Sequence, residues 1–186
     1  MSDAAASPDV RRYRDTIGLF ATGVAVIVAR TEEEVVAMTA NAVSSVSLDP
    51  MLVMFCPSKR SNLARHVTSL SGFTVNVLRH EQQALSTYFA GGWKQSAPPP
   101  FRLIASQYAP RLEGSLASIE CAHWKTIEMG DHWLVFGQVV GLRTGMPPYD
   151  PLVFLSGQYR QVQTASSTPA PDLSDVKNEP AHIYYE

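Results

Sequence analysis

Residues 37–50 have the sequence AMTANAVSSVSLDP, in which small polar residues lie between two apolar runs. Five compact hydrogen-bonding side chains fall within nine of these positions, and apolar runs flank them at residues 35–38 and 51–56. The flanking runs predict strands, and the polar positions between them cannot all belong to one ordinary strand. Side chains this small let a flat ligand approach the backbone, where hydroxyls and amides can pair with a heterocycle edge or a sugar chain. The stretch therefore predicts a ligand site on an interrupted strand.

The composition indicates one globular domain and excludes several classes of protein. A chain of 186 residues with 45% hydrophobic and 17% charged residues is long enough to bury a core and too apolar to be disordered. The formal net charge of −2 gives no general attraction for nucleic acid, so a DNA- or RNA-binding role is not expected.

Membrane and export signals are missing from the sequence pattern. No run approaches the roughly 18 apolar residues that span a bilayer, and residues 1–7 lack a basic region followed by an apolar one. We expect no membrane partner and a cytoplasmic location.

Cys56 and Cys121 lie far apart without a C-x-x-C pair, which favours two reduced thiols over a disulfide.

Hydrophobic periodicity predicts a mainly β chain with a few helices. Helices are expected from Ser7-Pro8 to Gly23, around Leu63, Val67 and Leu70, and from His80 to Gly91. Strands are expected as a hairpin at 24–29 and 35–38, at 51–56, at 73–78, as a long hairpin of 115–129 with 132–143, and at 152–155. About seven strands with short turns indicate a closed or nearly closed barrel.

Catalytic motifs of the common kinds are missing. The sequence has no G-x-G-x-x-G after a strand, no Walker A motif and no G-x-S-x-G elbow, and its five histidines lack the spacing of metal ligands. We therefore expect no metal site.

The hydroxyls and cations of Ser58-Lys59-Arg60-Ser61 precede a predicted helix, so they suit either a phosphate site or a capped surface turn.

The opening stretch resembles the flavin-binding segment of the short-chain flavin reductase family, the FMN-binding split barrels that serve two-component monooxygenases. The family pattern is approximately G-M-T-A-x-x-x-x-S-V-S-x-x-P-P, from which this chain departs at Ala37 and Met51. Neither departure removes a polar contact to a ligand. The similarity extends over residues 13–160 and includes Gly157-Gln158-Tyr159-Arg160, which is similar to the family's terminal G-x-Y-x.

The resemblance implies a fold, a domain organisation and a reaction. The fold would be a mainly β, FMN-binding split β-barrel at residues 9–162, between a flexible N-terminus at 1–8 and a C-terminal tail at 163–186. The reaction would be that of an NAD(P)H:flavin oxidoreductase, in which hydride passes from C4 of NADH or NADPH to N5 of FMN or FAD. Stacking two planar rings requires no protein nucleophile, so no catalytic residue of that kind is expected.

The family motifs also imply a set of site residues. Flavin contacts would come from the opening stretch, from the end of the next strand and from the loop after it: Thr39, Ala40, Asn41, Ser44, Ser45, Val46, Ser47, Cys56, Ser58, Lys59, Arg60 and Ser61. His132 follows the turn Gly130-Asp131, and the family's Gly-Asp-His histidine lies near the nicotinamide. From spacing alone, His132 is equally a turn histidine paired with Asp131 or with solvent.

Members of this family typically form homodimers and release reduced flavin to a separate oxygenase, which would be the partners of this chain. Two alternatives remain open at this point. The protein could be a flavin-holding electron carrier without NAD(P)H activity, or an oxidase that keeps its own flavin and acts on an organic substrate. Tight flavin retention without NAD(P)H oxidation would distinguish the carrier, and a pocket for an organic substrate would distinguish the oxidase.

Overall fold

A computed structural model of the chain describes residues 9–31 and 34–162. The predicted flexible N-terminus, the predicted C-terminal tail, and Glu32 and Glu33 lie outside these residues. Within the described part, no helix is long and apolar enough to cross a membrane.

The helices are few and short, as the periodicity predicted. They are α1 (Val10–Ile17), α2 (Gln83–Phe89) and two 3-10 helices, Leu63–His66 and His80–Gln82. The predicted limits of α1 were wrong. Asp9 is the N-cap, its carboxylate accepting a 2.7 Å hydrogen bond from the Arg12 amide, and Gly18 is the C-cap. The helix cannot continue to Gly23 because that residue pairs with Val153 in a strand.

The predicted helix near residue 63 was also too long. The amides of Ala64 and Arg65 bond to carbonyls three residues back, so this segment closes as a 3-10 turn. Leu63, Val67 and Leu70 are nevertheless all buried, as their spacing predicted.

Twelve strands are formed by the described residues. They are β1 (Thr22–Gly23), β2 (Ala25–Arg30), β3 (Val35–Ala40), β4 (Val43–Leu48), β5 (Met51–Phe55), β6 (Gly72–Val77), β7 (Leu103–Ile104), β8 (Arg111–Leu112), β9 (Ala117–Met129), β10 (His132–Thr144), β11 (Leu152–Leu155) and β12 (Gln158–Gln161). Five strands were not among the predicted seven: β4, which lies in the main sheet, and the short strands β1, β7, β8 and β12, which belong to two further sheets, β1-β11-β12 and β7-β8.

The main sheet is a barrel that remains open along one side. Its seven strands are antiparallel in the order β3-β2-β6-β9-β10-β5-β4, so β3 and β4 are its two edges. Only Asn41 and Ala42 connect these edges. Three peptide steps span at most about 11 Å, which requires the sheet to curl until its edges meet at this end. The fold predicted from the resemblance is therefore confirmed as split-barrel-like.

The continuous apolar run that begins at residue 24 forms β2, a strand buried on both faces. Ala25, Ile27 and Ala29 pack into one core cluster, and Val26 and Val28 pack into a second cluster on the opposite face. Because both faces of this strand are buried, the alternation of apolar and polar residues typical of a half-exposed strand is lost.

The opening stretch and the long hairpin both follow their predictions. The chain leaves β3 after Ala40, enters β4 at Val43, and shifts register between Ser45 and Ser47, so the stretch is not one regular strand. Gly130, with φ +58°, turns β9 into β10. A bulge at Trp124 interrupts the regular pairing of β9 with β10, because His123 pairs with Gly137 and Lys125 with Phe136.

Candidate functional site

A cleft of about 720 Å³ opens between β3, α2 and the loop after β5, and we call it the β3–α2 cleft. It contains three of the predicted site residues, Thr39, Arg60 and Ser61. They come from two separate segments of the chain. The structure thus joins the opening stretch to the predicted phosphate loop.

Thr39 fixes β3 against α2. Its hydroxyl donates a 2.6 Å hydrogen bond to the backbone carbonyl of Ser86, whose own hydroxyl lies 2.8 Å from the phenolic oxygen of Tyr159. The hydroxyl proton of Thr39 is therefore used within the protein. Its oxygen lone pairs are left to accept a bond from a ligand.

The loop after β5 is held along the start of β10. The amide of Trp133 donates to the Pro57 carbonyl, and the amide of Lys59 donates to the Asp131 carbonyl, each at 3.0 Å. Ser58 consequently pairs directly with His132 in a short antiparallel bridge. This arrangement places the predicted nicotinamide residue beside the predicted phosphate loop.

The two adjacent cations of this loop have different surroundings. The Lys59 ammonium forms an ion pair with Glu128 and lies 5.6 Å from the centre of the Trp133 ring. The Arg60 side chain forms no hydrogen bond or ion pair within residues 9–31 and 34–162, and it lines the cleft. Because a bound anion would have to compete with Glu128 for Lys59, Arg60 is the better placed cation for a phosphate.

His132 is oriented by its neighbour in the turn. Its Nδ1 lies 2.7 Å from the Asp131 carboxylate. The hydrogen bond and charge of His132, with a contribution from Arg60, lower the pKa of Asp131. The turn pairing considered from the sequence is therefore present. It leaves Nε2 without a partner in the described part of the chain, so the imidazole can still contact a ligand.

Four further predicted residues lie on the edge strand β4. Ser44 and Ser45 are exposed, Val46 and Ser47 are half-buried, and the Ser44 hydroxyl donates to the Ser45 carbonyl at 3.0 Å. β4 pairs with β5 alone among the described strands. Its outer edge therefore presents backbone N–H and C=O groups that a planar ligand can pair with.

The remaining predicted residues are not in the β3–α2 cleft. The Ala40 side chain is buried in the core, so only its backbone can reach a ligand. Asn41 donates to the Thr22 hydroxyl at 3.3 Å and lines a different, apolar cleft. Cys56 is half-buried next to Ala42, whose carbonyl accepts the Cys56 amide, and burial raises the pKa of its thiol.

The sequence prediction missed the aromatic side of the cleft. Tyr88 and Phe89 of α2 and Phe101, beyond the proline-rich loop, all line it. The available signal was that aromatic residues flank both ends of residues 91–100, a segment with three consecutive prolines. Their meeting across that loop could be seen only in the folded chain.

The residues present fit a flat heteroaromatic ligand that carries phosphate. The cleft supplies aromatic rings, small hydroxyls and a cation that has no ion-pair partner in the described residues, and the neighbouring edge strand supplies backbone donors and acceptors. No group of three or more His, Cys, Asp or Glu side chains in the described ranges is arranged to bind a metal ion.

Comparison with known proteins gives consistent matches over most of the chain. A family model described as flavin reductase like domain matches residues 17–163. The flavin-dependent monooxygenase reductase subunit HsaB of Rhodococcus jostii (strain RHA1) is 34% identical over 178 residues, which cover 94% of this chain and 89% of the relative. The FMN reductase (NADH) SmoA of Agrobacterium fabrum is 34% identical over 149 residues, covering 80% and 84%.

A solved structure matches the fold as well. The NADH:FAD oxidoreductase SgcE6 of Streptomyces globisporus C-1027, in complex with NAD and FAD fragments, has a TM-score of 0.77 to this chain. The two are 29% identical, and the match covers 89% of this chain and 100% of that one.

Proposed function

The chain belongs to the flavin reductase like domain family, and we propose that it is an NADH-dependent flavin reductase that supplies reduced flavin to a separate monooxygenase. Its relatives are reductase subunits of monooxygenases and reductases of FMN or FAD that use NADH. These relatives favour the reductase over the electron-carrier and oxidase alternatives. We assign the reductase domain to residues 9–162 and retain the cytoplasm as its proposed location.

The composition of the β3–α2 cleft supports this proposal. Thr39, Arg60 and Ser61 line one cleft, and the cation of that cleft has no ion-pair partner in the described residues. A phosphate of a nucleotide would form an ion pair with the Arg60 guanidinium. The adjacent small side chains leave room for a planar ring to reach the backbone.

The predicted site residues then divide into groups by what they can contact. Ser44, Ser45, Val46 and Ser47 present the edge of β4 to the flavin ring, and Ala40 and Asn41 offer contacts at the point where β3 ends. Ser58 and Ser61 contribute hydroxyls to the phosphate side, and Cys56 a neutral thiol at the end of β5. Lys59 holds the loop to Glu128, and Arg60 binds the phosphate.

The residues of this chain bind and orient the reactants. A bound flavin supplies the capacity to accept a hydride from reduced nicotinamide. His132, fixed by Asp131, presents Nε2 toward the nicotinamide and restricts the angle at which the two rings stack. No side chain has to act as a nucleophile or as a strong acid in this scheme.

We also propose that the chain forms a homodimer. Five apolar side chains of α1 and the turn after it are between 52% and 73% exposed: Val10, Tyr13, Ile17, Leu19 and Phe20. An apolar surface of this kind supports association with a second copy. Light scattering after gel filtration should give twice the mass of one chain, and a monomer at micromolar concentration would contradict the dimer.

The reductase is tested by anaerobic stopped-flow absorbance at the oxidised flavin band. Purified protein is mixed with FMN or FAD and with NADH or NADPH, in all four combinations. We expect fast bleaching that requires the protein and is faster with NADH than with NADPH. Flavin that co-purifies but is not bleached would favour the carrier or the oxidase instead.

The His132→Ala variant tests the proposed nicotinamide contact. We expect a higher KM for NADH and an unchanged Kd for flavin, because the imidazole lies at the nicotinamide side of the site. A matched control is His66→Ala, which changes a half-buried histidine outside the lining of the cleft. Equal effects of the two substitutions on the KM for NADH would show that His132 has no specific role.

A further inference from the structure

We propose that the rings of Tyr88, Phe89 and Phe101 bind the adenine of a dinucleotide in the β3–α2 cleft, while Arg60 binds its phosphates. This inference rests on the proposed function, because it concerns which part of the FAD or NADH molecule occupies this cleft.

The three rings form one continuous aromatic wall. The ring centroids of Phe89 and Phe101 are 5.1 Å apart, those of Tyr88 and Phe101 are 5.8 Å apart, and those of Tyr88 and Phe89 are 5.0 Å apart. Two of the three pairs are edge-to-face, which fixes the ring planes. The wall is therefore ordered before any ligand arrives.

Phe89 packs against a core cluster, yet the aromatic wall as a whole is only partly buried. Phe101 remains 40% exposed although it packs against two other rings, and Tyr88 and Phe89 are half-buried. A ring edge or face open to solvent beside a cleft provides a stacking surface for a flat base. Such stacking is independent of the hydrogen-bonding pattern of the base, and Asn62, which also lines the cleft, can contribute an amide for an adenine edge.

Charge in the cleft favours a ligand that carries phosphate. Arg60 is the cation among the lining residues, and none of the lining residues is acidic. The cleft of about 720 Å³ thus offers an aromatic surface and a cation that has no ion-pair partner in the described residues. A nucleoside with a 5′-phosphate or pyrophosphate contains both complementary parts.

The aromatic wall is held in place by contacts of α2 and of the loop that follows it. Ser86 of α2 is anchored through Thr39 and Tyr159, and Gly91, with φ +76°, turns the chain after α2. Trp93 packs edge-to-face on Tyr88 at 6.5 Å and donates to the Ala97 carbonyl, which ties the following loop to the aromatic wall. These contacts give the loop of residues 91–100 a function, namely to place Phe101 against α2.

Adenine is present in both FAD and NADH, so the test must distinguish the two sources. Calorimetric titration of the wild type, of Phe101→Leu and of Phe101→Trp is carried out with AMP, FMN, FAD, NADH and reduced nicotinamide mononucleotide. We expect AMP to bind the wild type and its Kd to rise about tenfold in Phe101→Leu. Phe101→Trp should retain AMP binding because it keeps an aromatic face. Tyr149→Leu is the matched control, since Tyr149 is an exposed aromatic residue outside the cleft.

The outcomes separate as follows. Weaker binding of AMP and FAD to Phe101→Leu, with FMN unchanged, assigns the wall to the adenine of FAD. Weaker binding of AMP and NADH, with the mononucleotide and FAD unchanged, assigns it to NADH. The proposal is overturned if AMP does not bind the wild type, if Phe101→Leu changes nothing, or if FMN and FAD weaken equally. Wild-type protein that binds AMP but never oxidises NADH would contradict the proposed function alone.

Discussion

The phenolic oxygen of Tyr159 in β12 lies 2.8 Å from the hydroxyl oxygen of Ser86 in α2. Ser86 is fully buried, and its backbone carbonyl accepts the hydroxyl of Thr39 in β3. One residue of α2 therefore connects a strand of the small sheet with an edge strand of the main sheet. The position of the aromatic wall relative to β3 depends on this connection.

Substituting Tyr159→Phe removes one partner from this buried pair. We expect the free energy of unfolding to fall by about 1–2 kcal/mol, because the Ser86 hydroxyl is left without that partner. Urea unfolding followed by circular dichroism measures the change. Tyr149→Phe is the control, since Tyr149 is exposed and its hydroxyl has no partner in the described residues. Equal changes in both variants would show that the pair does not stabilise the fold.

Arg60→Gln tests which cation of the loop binds phosphate. We expect the Kd for FMN to rise about tenfold or more, because a charge-assisted hydrogen bond is lost. Lys59→Gln should have a smaller effect on this Kd, since Lys59 is paired with Glu128. Fluorescence titration of the flavin provides the measurement. A larger effect of Lys59→Gln than of Arg60→Gln would reverse the assignment.

Gly137→Ala should destabilise the hairpin of β9 and β10. A Cβ at this position would lie 2.5 Å from a ring carbon of Phe73 and 2.6 Å from the Cβ of Cys121. Both neighbours are fully buried, so the core must shift, at a cost of about 1–3 kcal/mol in the free energy of unfolding. Gly23→Ala, where a Cβ would meet nothing within 4 Å, is the control in the same urea experiment. A neutral Gly137→Ala variant would contradict the packing described.

Stability should decrease in mild acid partly through His123. Burial lowers the pKa of His123 from its ordinary value of 6.5, while its Nε2 lies 2.9 Å from the Thr126 hydroxyl. The unfolded chain therefore binds a proton at this residue before the folded chain does. The stabilisation is complete above pH 6.5 and is lost as the pH falls toward the lowered pKa of the folded state. Unfolding curves between pH 7.5 and 5 should show a smaller decline for His123→Gln than for the wild type.

The two cysteines should differ in their rates of alkylation. Burial, with a contribution from the charge of Glu120, raises the pKa of Cys121 to about 12, and the side chain is fully buried. Cys56 is half-buried, and its pKa is raised by burial alone. Mass spectrometry after iodoacetamide treatment at pH 9 should find Cys56 modified first, and added FMN should slow that modification. No protection by FMN would argue against a flavin near Cys56.

The longer strands, the turn at Gly130 and the interruption within residues 37–50 could all be predicted from the sequence. Apolar runs report burial locally, so β2 and β5 could be located, and Gly130 marks a turn because it adopts a positive φ. The limits of α1 could not be located in the same way, because Gly23 is held by its strand partner Val153. The resemblance supplied the fold family, which the observed topology confirms.

The different roles of neighbouring residues became visible only in the folded chain. Lys59 and Arg60 are adjacent and chemically alike. Lys59 nevertheless forms an ion pair with Glu128, whereas Arg60 lines the cleft. Phe101 likewise packs against Phe89 although the loop of residues 91–100, which forms no helix or strand, separates them in the sequence. The physical reason is the separation of the interacting residues along the sequence. Periodicity and turn chemistry involve residues a few positions apart, whereas these ion pairs and ring contacts join segments that the folded sheet brings together.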